Sequence, residues 1–150
     1  MDGETESPWA PTIVESGEWM GWNNYTPDPY EQLSGPYYYR VEEGGLVRCA
    51  FRAERKHMNG GDFMHGGALL TFADYALFCI ARADLQGSGS VTASLNGEFI
   101  DSAKVGDLIE CTGEVVRAGN SLVFIRGQIF TSGRTLLNFS AIVKKVRRKT

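Results

Sequence analysis

Three short stretches of the chain carry residue types whose spacing suits chemistry. The first is His65-Gly66-Gly67, which stands immediately before an apolar run beginning at Ala68. If a helix starts there, its first backbone N–H groups have no partner within the helix and carry the positive end of its dipole. A glycine at that point lets a ligand approach the backbone closely, so an oxyanion or a thioester carbonyl can be held and polarised. The plainer alternative is a tight loop-to-helix turn with His65 packed beside it. The second is Asp74, whose neighbours at three and four residues are Leu70, Thr71, Leu77 and Phe78. A charged carboxylate in apolar company has to be paired, hydrogen-bonded or shifted in pKa, and such groups concentrate at active sites. The competing reading is an Asp at a helix exit or a subunit seam, satisfied by hydroxyls. The third is Val91–Ile100, in which Val91, Ala93, Leu95, Gly97 and Phe99 alternate with Thr92, Ser94, Asn96 and Glu98. The polar face of such a strand ordinarily meets solvent; lining a cleft instead, Thr92 would orient a water or the carboxylate. Asn59, six residues before His65, offers an amide to the same carbonyl, or serves turn chemistry beside Gly60 and Gly61.

Other chemistries find little support. The histidines are His57 and His65 alone, with no His-Glu-x-x-His and no cysteine cluster, so no metal site is expected. There is no G-x-S-x-G elbow, and Gly87-Ser88-Gly89-Ser90 lies in a turn after a helix, the wrong context for a nucleophilic serine. Neither a Walker A nor a G-x-G-x-x-G sequence follows a strand, which sets aside nucleotide hydrolysis and hydride transfer.

The elements that must position these residues are legible in outline. Tyr37 to Glu42 and Leu46 to Glu54, separated by Glu42-Glu43-Gly44-Gly45, predict a hairpin. Lys56 to Gly67 is a loop rich in Gly, Asn and His, and one helix is predicted from about Gly67 to Asp84. Four strands follow, Val91–Ile100, Leu108–Arg117, Leu122–Thr131 and Thr135–Val146, punctuated by Gly106-Asp107, Gly119-Asn120 and Ser132-Gly133. The helix is apolar on every side, so it requires burial all round. With about six strands to cover it, the expectation is an α+β fold in which an antiparallel sheet curls around one long helix. Phe72, Tyr75 and Phe78 are read as core.

Length and composition bound the function. A chain of 150 residues, 43% apolar, fits one main domain. Within an N-terminal extension of residues 1–29, residues 1–28 contain Pro8, Pro11, Pro27 and several glycines, predicting short, broken structure. They also hold all three tryptophans, Trp9, Trp19 and Trp22, which predicts an appendage packed on the domain of residues 30–150 or across a subunit boundary. The net charge of −3 is uneven, because Met1 to Tyr30 carries six acids and no Lys or Arg. The C-terminal cations Lys144, Lys145, Arg147, Arg148 and Lys149 read as a solvated tail, and no nucleic-acid partner is expected. The acidic start resembles no export signal, the apolar run Ala68–Ala81 is too short to span a bilayer, and no membrane association is expected. Cys49, Cys79 and Cys111 are odd in number and widely spaced, which predicts free thiols and a cytoplasmic location.

The combination of Asn59, Met64-His65-Gly66-Gly67-Ala68-Leu69-Leu70, Asp74, Val91-Thr92 and Asn96 resembles the phenylacetate-degradation type of hotdog acyl-CoA thioesterase. The similarity runs from about Tyr30 to Val146. It implies hydrolysis of acyl-CoA at the interface of a homodimer, commonly paired again into a tetramer, with coenzyme A as part of the substrate and no further cofactor. By that resemblance Gly66 donates its N–H to the thioester carbonyl, Asn59 assists and His65 supports the site. Asp74 activates water or attacks, and Thr92 carries a helping hydroxyl; Gly67, Asn96, Arg117, Asn120 and Ser121 are implied to meet the substrate. Asn120 stands where relatives often place a basic residue, leaving Arg117 or the C-terminal cations to meet CoA phosphates. Gly66 and Asp74 lie about 12 Å apart along a helix, so one subunit cannot bring both to one carbonyl, whereas a two-fold axis can. The alternatives are a non-catalytic acyl-CoA-binding protein and a hotdog enoyl-CoA hydratase or dehydratase.

Overall fold

The computed structural model describes residues 10–146. Trp9, the acids Asp2, Glu4 and Glu6, and the cations Arg147, Arg148 and Lys149 lie outside the described residues. The chain forms β1 (Thr12–Ile13), β2 (Asn23–Asn24), α1 (Pro29–Ser34), β3 (Tyr38–Val41), β4 (Val47–Arg52), α2 (Gly66–Ile80), β5 (Gly89–Phe99), β6 (Leu108–Ala118), β7 (Leu122–Thr131) and β8 (Arg134–Val146). One antiparallel sheet runs in the order β1-β2-β3-β4-β6-β7-β8-β5. It has eight strands rather than about six, because the N-terminal segment adds two two-residue strands to the edge at β3.

Helix α2 buries most of its surface, with Phe72, Ala73, Ala76, Leu77 and Cys79 wholly removed from solvent. Leu70, Thr71, Asp74 and Phe78 are only part-buried, so the burial all round that its apolarity predicts is not reached within one chain. It ends at Ile80, four residues short of the expected Asp84, where the chain tightens into turns and reverses at Gly87 (φ +79°). The inward row Gly113–Gly127–Phe139–Gly97 crosses β6, β7, β8 and β5. A Cβ at Gly127 would lie 2.5 Å from the Phe139 ring, and one at Gly97 would lie 3.2 Å from Leu70 of α2. Glycine at those places lets one aromatic ring lie across the sheet and lets the helix settle close to it.

Residues 18–22 of the N-terminal segment pack on the opposite, outer face of the sheet, whereas Tyr25 reaches the inner side, stacked on Tyr39 and edge-on to Tyr75 of α2. Trp19 stacks on Tyr38 with ring centroids 4.5 Å apart, Arg40 lies 4.4 Å over the Trp22 ring, and Arg52 pairs with Glu18. Helix α1 follows the stretch expected to hold short, broken structure and was not foreseen. Asp28 caps it by accepting the Glu31 N–H at 3.0 Å, and Pro29 supplies a first position that needs no donor. At its other end Lys56 Nζ donates to the Leu33 and Gly35 carbonyls and His57 Nε2 donates to the Ser34 carbonyl.

Candidate active site

Helix α2 opens on His65, whose ring acts as the N-cap: Nδ1 accepts the Gly67 N–H at 2.8 Å. That bond fixes the proton of a neutral ring on Nε2. It also engages the Gly67 N–H internally, which removes Gly67 as a backbone donor to a ligand. The Gly66 N–H, by contrast, has no hydrogen-bond partner among the described residues. It is thus the free donor at the positive end of a fifteen-residue helix. A Cβ at Gly66 would meet the Phe99 ring at 3.0 Å, so Phe99, itself 55% exposed, forms one wall beside that donor. Asn59 uses its Oδ1 to accept from Gly61 N–H (2.9 Å) and Phe63 N–H (3.2 Å), which folds the loop and leaves the amide nitrogen of the side chain available.

Asp74 lies two turns further along α2, half-buried, and accepts the Thr92 hydroxyl at 2.5 Å. Strict alternation along β5 put Thr92 on the face opposite Leu95 and Gly97. The strand carries a bulge between Thr92 and Ser94, with Ala93 the extra residue, and this reverses the parity. Thr92 consequently points at α2 together with Leu95 and Gly97, whereas Ser94 and Asn96 look outward. Asn96 donates to Ser94 Oγ and lines an outer groove with Phe124, Arg126, Ser140 and Ile142, away from Asp74 and Gly66 of the same subunit. Arg117, Asn120 and Ser121 are exposed at the β6–β7 turn. The register Ala118–Val123–Val143–Thr92 places that turn at the same end of the sheet as the Asp74–Thr92 pair, with Lys144 beside Val91.

Asp74 opens into a cleft of about 350 Å³ lined also by Asp28, Tyr30, Glu31, Leu70, Thr71 and Tyr75. Asp28, Tyr30 and Glu31 were not foreseen as site residues. The signal for them was present, since Asp28-Pro29 followed by Glu31 is a helix-start pattern. Glu31 is pushed up to about 8 by burial, then by the Asp28 charge, a hydrogen bond to Asp28 and the Asp74 charge. The remaining buried groups are structural. Burial pushes the Cys111 thiol up, raises Cys49 well above the usual range, and all three cysteines are free and buried. Among the described residues no group of His, Cys, Asp and Glu is arranged to hold a metal ion, and no helix is long and apolar enough to cross a membrane.

Comparison with known proteins agrees with this architecture. The chain resembles a putative esterase of Pseudomonas aeruginosa, 29% identical over 119 residues that cover 79% of this chain and 89% of that one. It resembles human acyl-coenzyme A thioesterase 13 at 32% identity over 99 residues, 63% of this chain and 68% of that protein. Among solved structures, the Escherichia coli PaaI protein from the phenylacetic acid degradation operon superposes with a TM-score of 0.70 at 20% identity, covering 81% of this chain and 87% of that one. A hypothetical thioesterase of Streptococcus pneumoniae, solved with coenzyme A, gives 0.67 at 19% identity over 76% of this chain and 88% of that one. The family model described as the thioesterase superfamily matches residues 61–138, the stretch that contains α2 and most of the strands around it, and the chain belongs to that superfamily in its hotdog fold.

Proposed function

We propose that this protein hydrolyses acyl-CoA thioesters to the free acid and CoA at a site shared by two subunits. The observation that carries the proposal is the layout of β5 against α2. Thr92 meets Asp74 near one end of β5, and Phe99 meets Gly66 at the other, so strand and helix run in opposite directions. Strand β5 is also an edge, paired with β8 on one side only. An open edge eleven residues long invites pairing with a second copy. A two-fold axis between Leu95 and Asn96 sets Thr92 across from the partner subunit's Phe99. That arrangement brings Asp74 toward the partner subunit's Gly66 and supplies in two chains what one helix separates.

The chemistry then follows from the groups available. The Gly66 N–H polarises the thioester carbonyl and stabilises the oxyanion, with the Asn59 amide as a second donor. His65 holds the helix start in place through the Gly67 N–H. Asp74, oriented by the Thr92 hydroxyl, follows one of two routes. As general base it takes a proton from the water that adds to the carbonyl and returns that proton to the departing thiolate. As nucleophile it attacks the carbonyl itself and expels the CoA thiolate, which takes its proton from solvent, leaving an anhydride that water then hydrolyses to the free acid. Arg117, Asn120, Ser121 and Lys144 form a rim at the Thr92 end that suits the phosphates of CoA. The reaction needs no cofactor beyond the CoA of the substrate. Relatives crystallised with coenzyme A or acetyl-CoA support the ligand class. The free thiols fit a reducing compartment such as the cytoplasm.

The test is thiol release from short, medium, long and aromatic acyl-CoAs, followed by subunit mixing. Asp74→Asn and Gly66→Ala homodimers should both be inactive. A mixed dimer should regain turnover, because one of its two sites combines an intact Gly66 with an intact Asp74. Wild-type protein that binds CoA esters without releasing thiol would refute hydrolysis, and mixing without recovery would refute the shared site.

A further inference from the structure

Among the described residues the cleft beside Asp74 holds three carboxylates, those of Asp28, Glu31 and Asp74, and no Lys or Arg lines it. Their surroundings differ. Asp74 accepts the Thr92 hydroxyl, and Asp28 accepts the Glu31 N–H. The Glu31 carboxyl accepts no hydrogen bond from a donor among the described residues, so its negative charge would be the least compensated of the three. The titratable groups around it are Asp28 at the cap of its own helix, Tyr30 on α1, Tyr37 ahead of β3, Cys49 on β4, and Asp74 and Tyr75 on α2. Lys56, the cation bonded to α1, is engaged by the Leu33 and Gly35 carbonyls.

Resting on the thioesterase reading, we propose that Glu31 is a positioning residue for the hydrolysis: its protonated carboxyl keeps Asp74 free of a second neighbouring charge while negative charge builds on the thioester. Glu31 lies outside residues 61–138, so the role would belong to the α1 segment rather than to the part matched by the superfamily. Helix α1 is clamped by Lys56 and His57 from the loop that also leads to His65, which holds the helix where Glu31 lines the same cleft as Asp74. Burial, the Asp28 charge and hydrogen bond, and the Asp74 charge together push Glu31 up to about 8, so the group holds its proton at neutral pH. Above that, an ionised Glu31 opposes the oxyanion and the nascent product carboxylate, and turnover falls on the order of tenfold, as a like charge at close range in a partly desolvated site would cause.

The experiment compares kcat/KM from pH 6 to pH 9.5 for wild type, Glu31→Gln and Asp28→Asn. The wild type should lose activity through about pH 8, and Glu31→Gln, neutral at every pH, should lack that falling limb. Asp28→Asn keeps the N-cap acceptor but removes the charge beside Glu31, so its limb should move to lower pH. Melting temperature reads the same proton without turnover. The folded protein binds the Glu31 proton more tightly than the unfolded chain, so wild type should lose stability relative to Glu31→Gln as pH rises from about 4.5 to about 8. Overlapping pH profiles with active enzyme overturn the role of Glu31 alone. A wild type that releases no thiol overturns the thioesterase reading and this role with it.

Discussion

Replacing Gly66 by alanine separates stability from catalysis. The residue is the first of α2, and alanine is favoured over glycine in a helix by up to about 1 kcal/mol. Against that gain, the new Cβ would stand 3.0 Å from Phe99 Cε1 and 3.3 Å from Cζ, tighter than an ordinary contact. Phe99 is more than half exposed, so its ring can yield by a few tenths of an ångström. The two effects nearly cancel, and the melting temperature should change by no more than about 3 °C, corresponding to about 1 kcal/mol. Catalysis is affected differently. The methyl group and the displaced ring crowd the approach to the free Gly66 N–H, and loss of one oxyanion donor costs about 10²- to 10³-fold in turnover. The assay is thiol release with the best acyl-CoA of the panel, alongside a melting curve on the same preparation. A variant that melts like wild type but retains kcat/KM within about threefold would refute the assignment of Gly66 as the carbonyl donor.

Thr92→Val removes a hydroxyl that hydrogen-bonds a carboxylate, an interaction of about 1.5–3 kcal/mol, and should lower kcat at least tenfold with KM little changed, read by steady-state thiol release. Gly127→Ala puts a Cβ 2.5 Å from Phe139 Cζ and 2.7 Å from the Thr112 carbonyl, where neither neighbour can retreat easily; denaturant unfolding should show a loss of about 1–3 kcal/mol. His57 is lowered from its ordinary value of 6.5, chiefly by burial, so its contribution to stability is full above pH 6.5 and is lost as pH falls toward its folded value. Acidification protonates Nδ1 and breaks its bond to the Glu54 N–H. His57→Gln should therefore be less stable than wild type at pH 7.5, with the difference shrinking toward pH 5 in a melting series.

Much of the site was fixed by local sequence. A helix this apolar had to bury most of its surface, although one face stays part-exposed, and His65-Gly66-Gly67 ahead of it had to form its start, because helix burial and capping depend on residues a few positions apart. Asp74 was conspicuous for the same reason: its apolar neighbours come from the helix period alone. Tertiary structure decided the rest. The Ala93 bulge, which turns Thr92 toward Asp74, depends on how β5 registers against β8, and period-two alternation contains no sign of it. The division of labour between Gly66 and Gly67 required the position of the His65 ring, which claims one N–H and leaves the other free. Asp28 and Glu31 were legible as a helix start, yet their place beside Asp74 comes from packing α1 on α2 across more than forty residues of chain. The glycines at 97, 113 and 127 read as strand weaknesses one at a time; aligned across four strands they make room for the Phe139 ring and the central helix. Sequence determines what is local because periodicity, capping and turn chemistry act over a few residues. Which distant groups meet is set by strand register and packing, whose energies are summed over the whole fold.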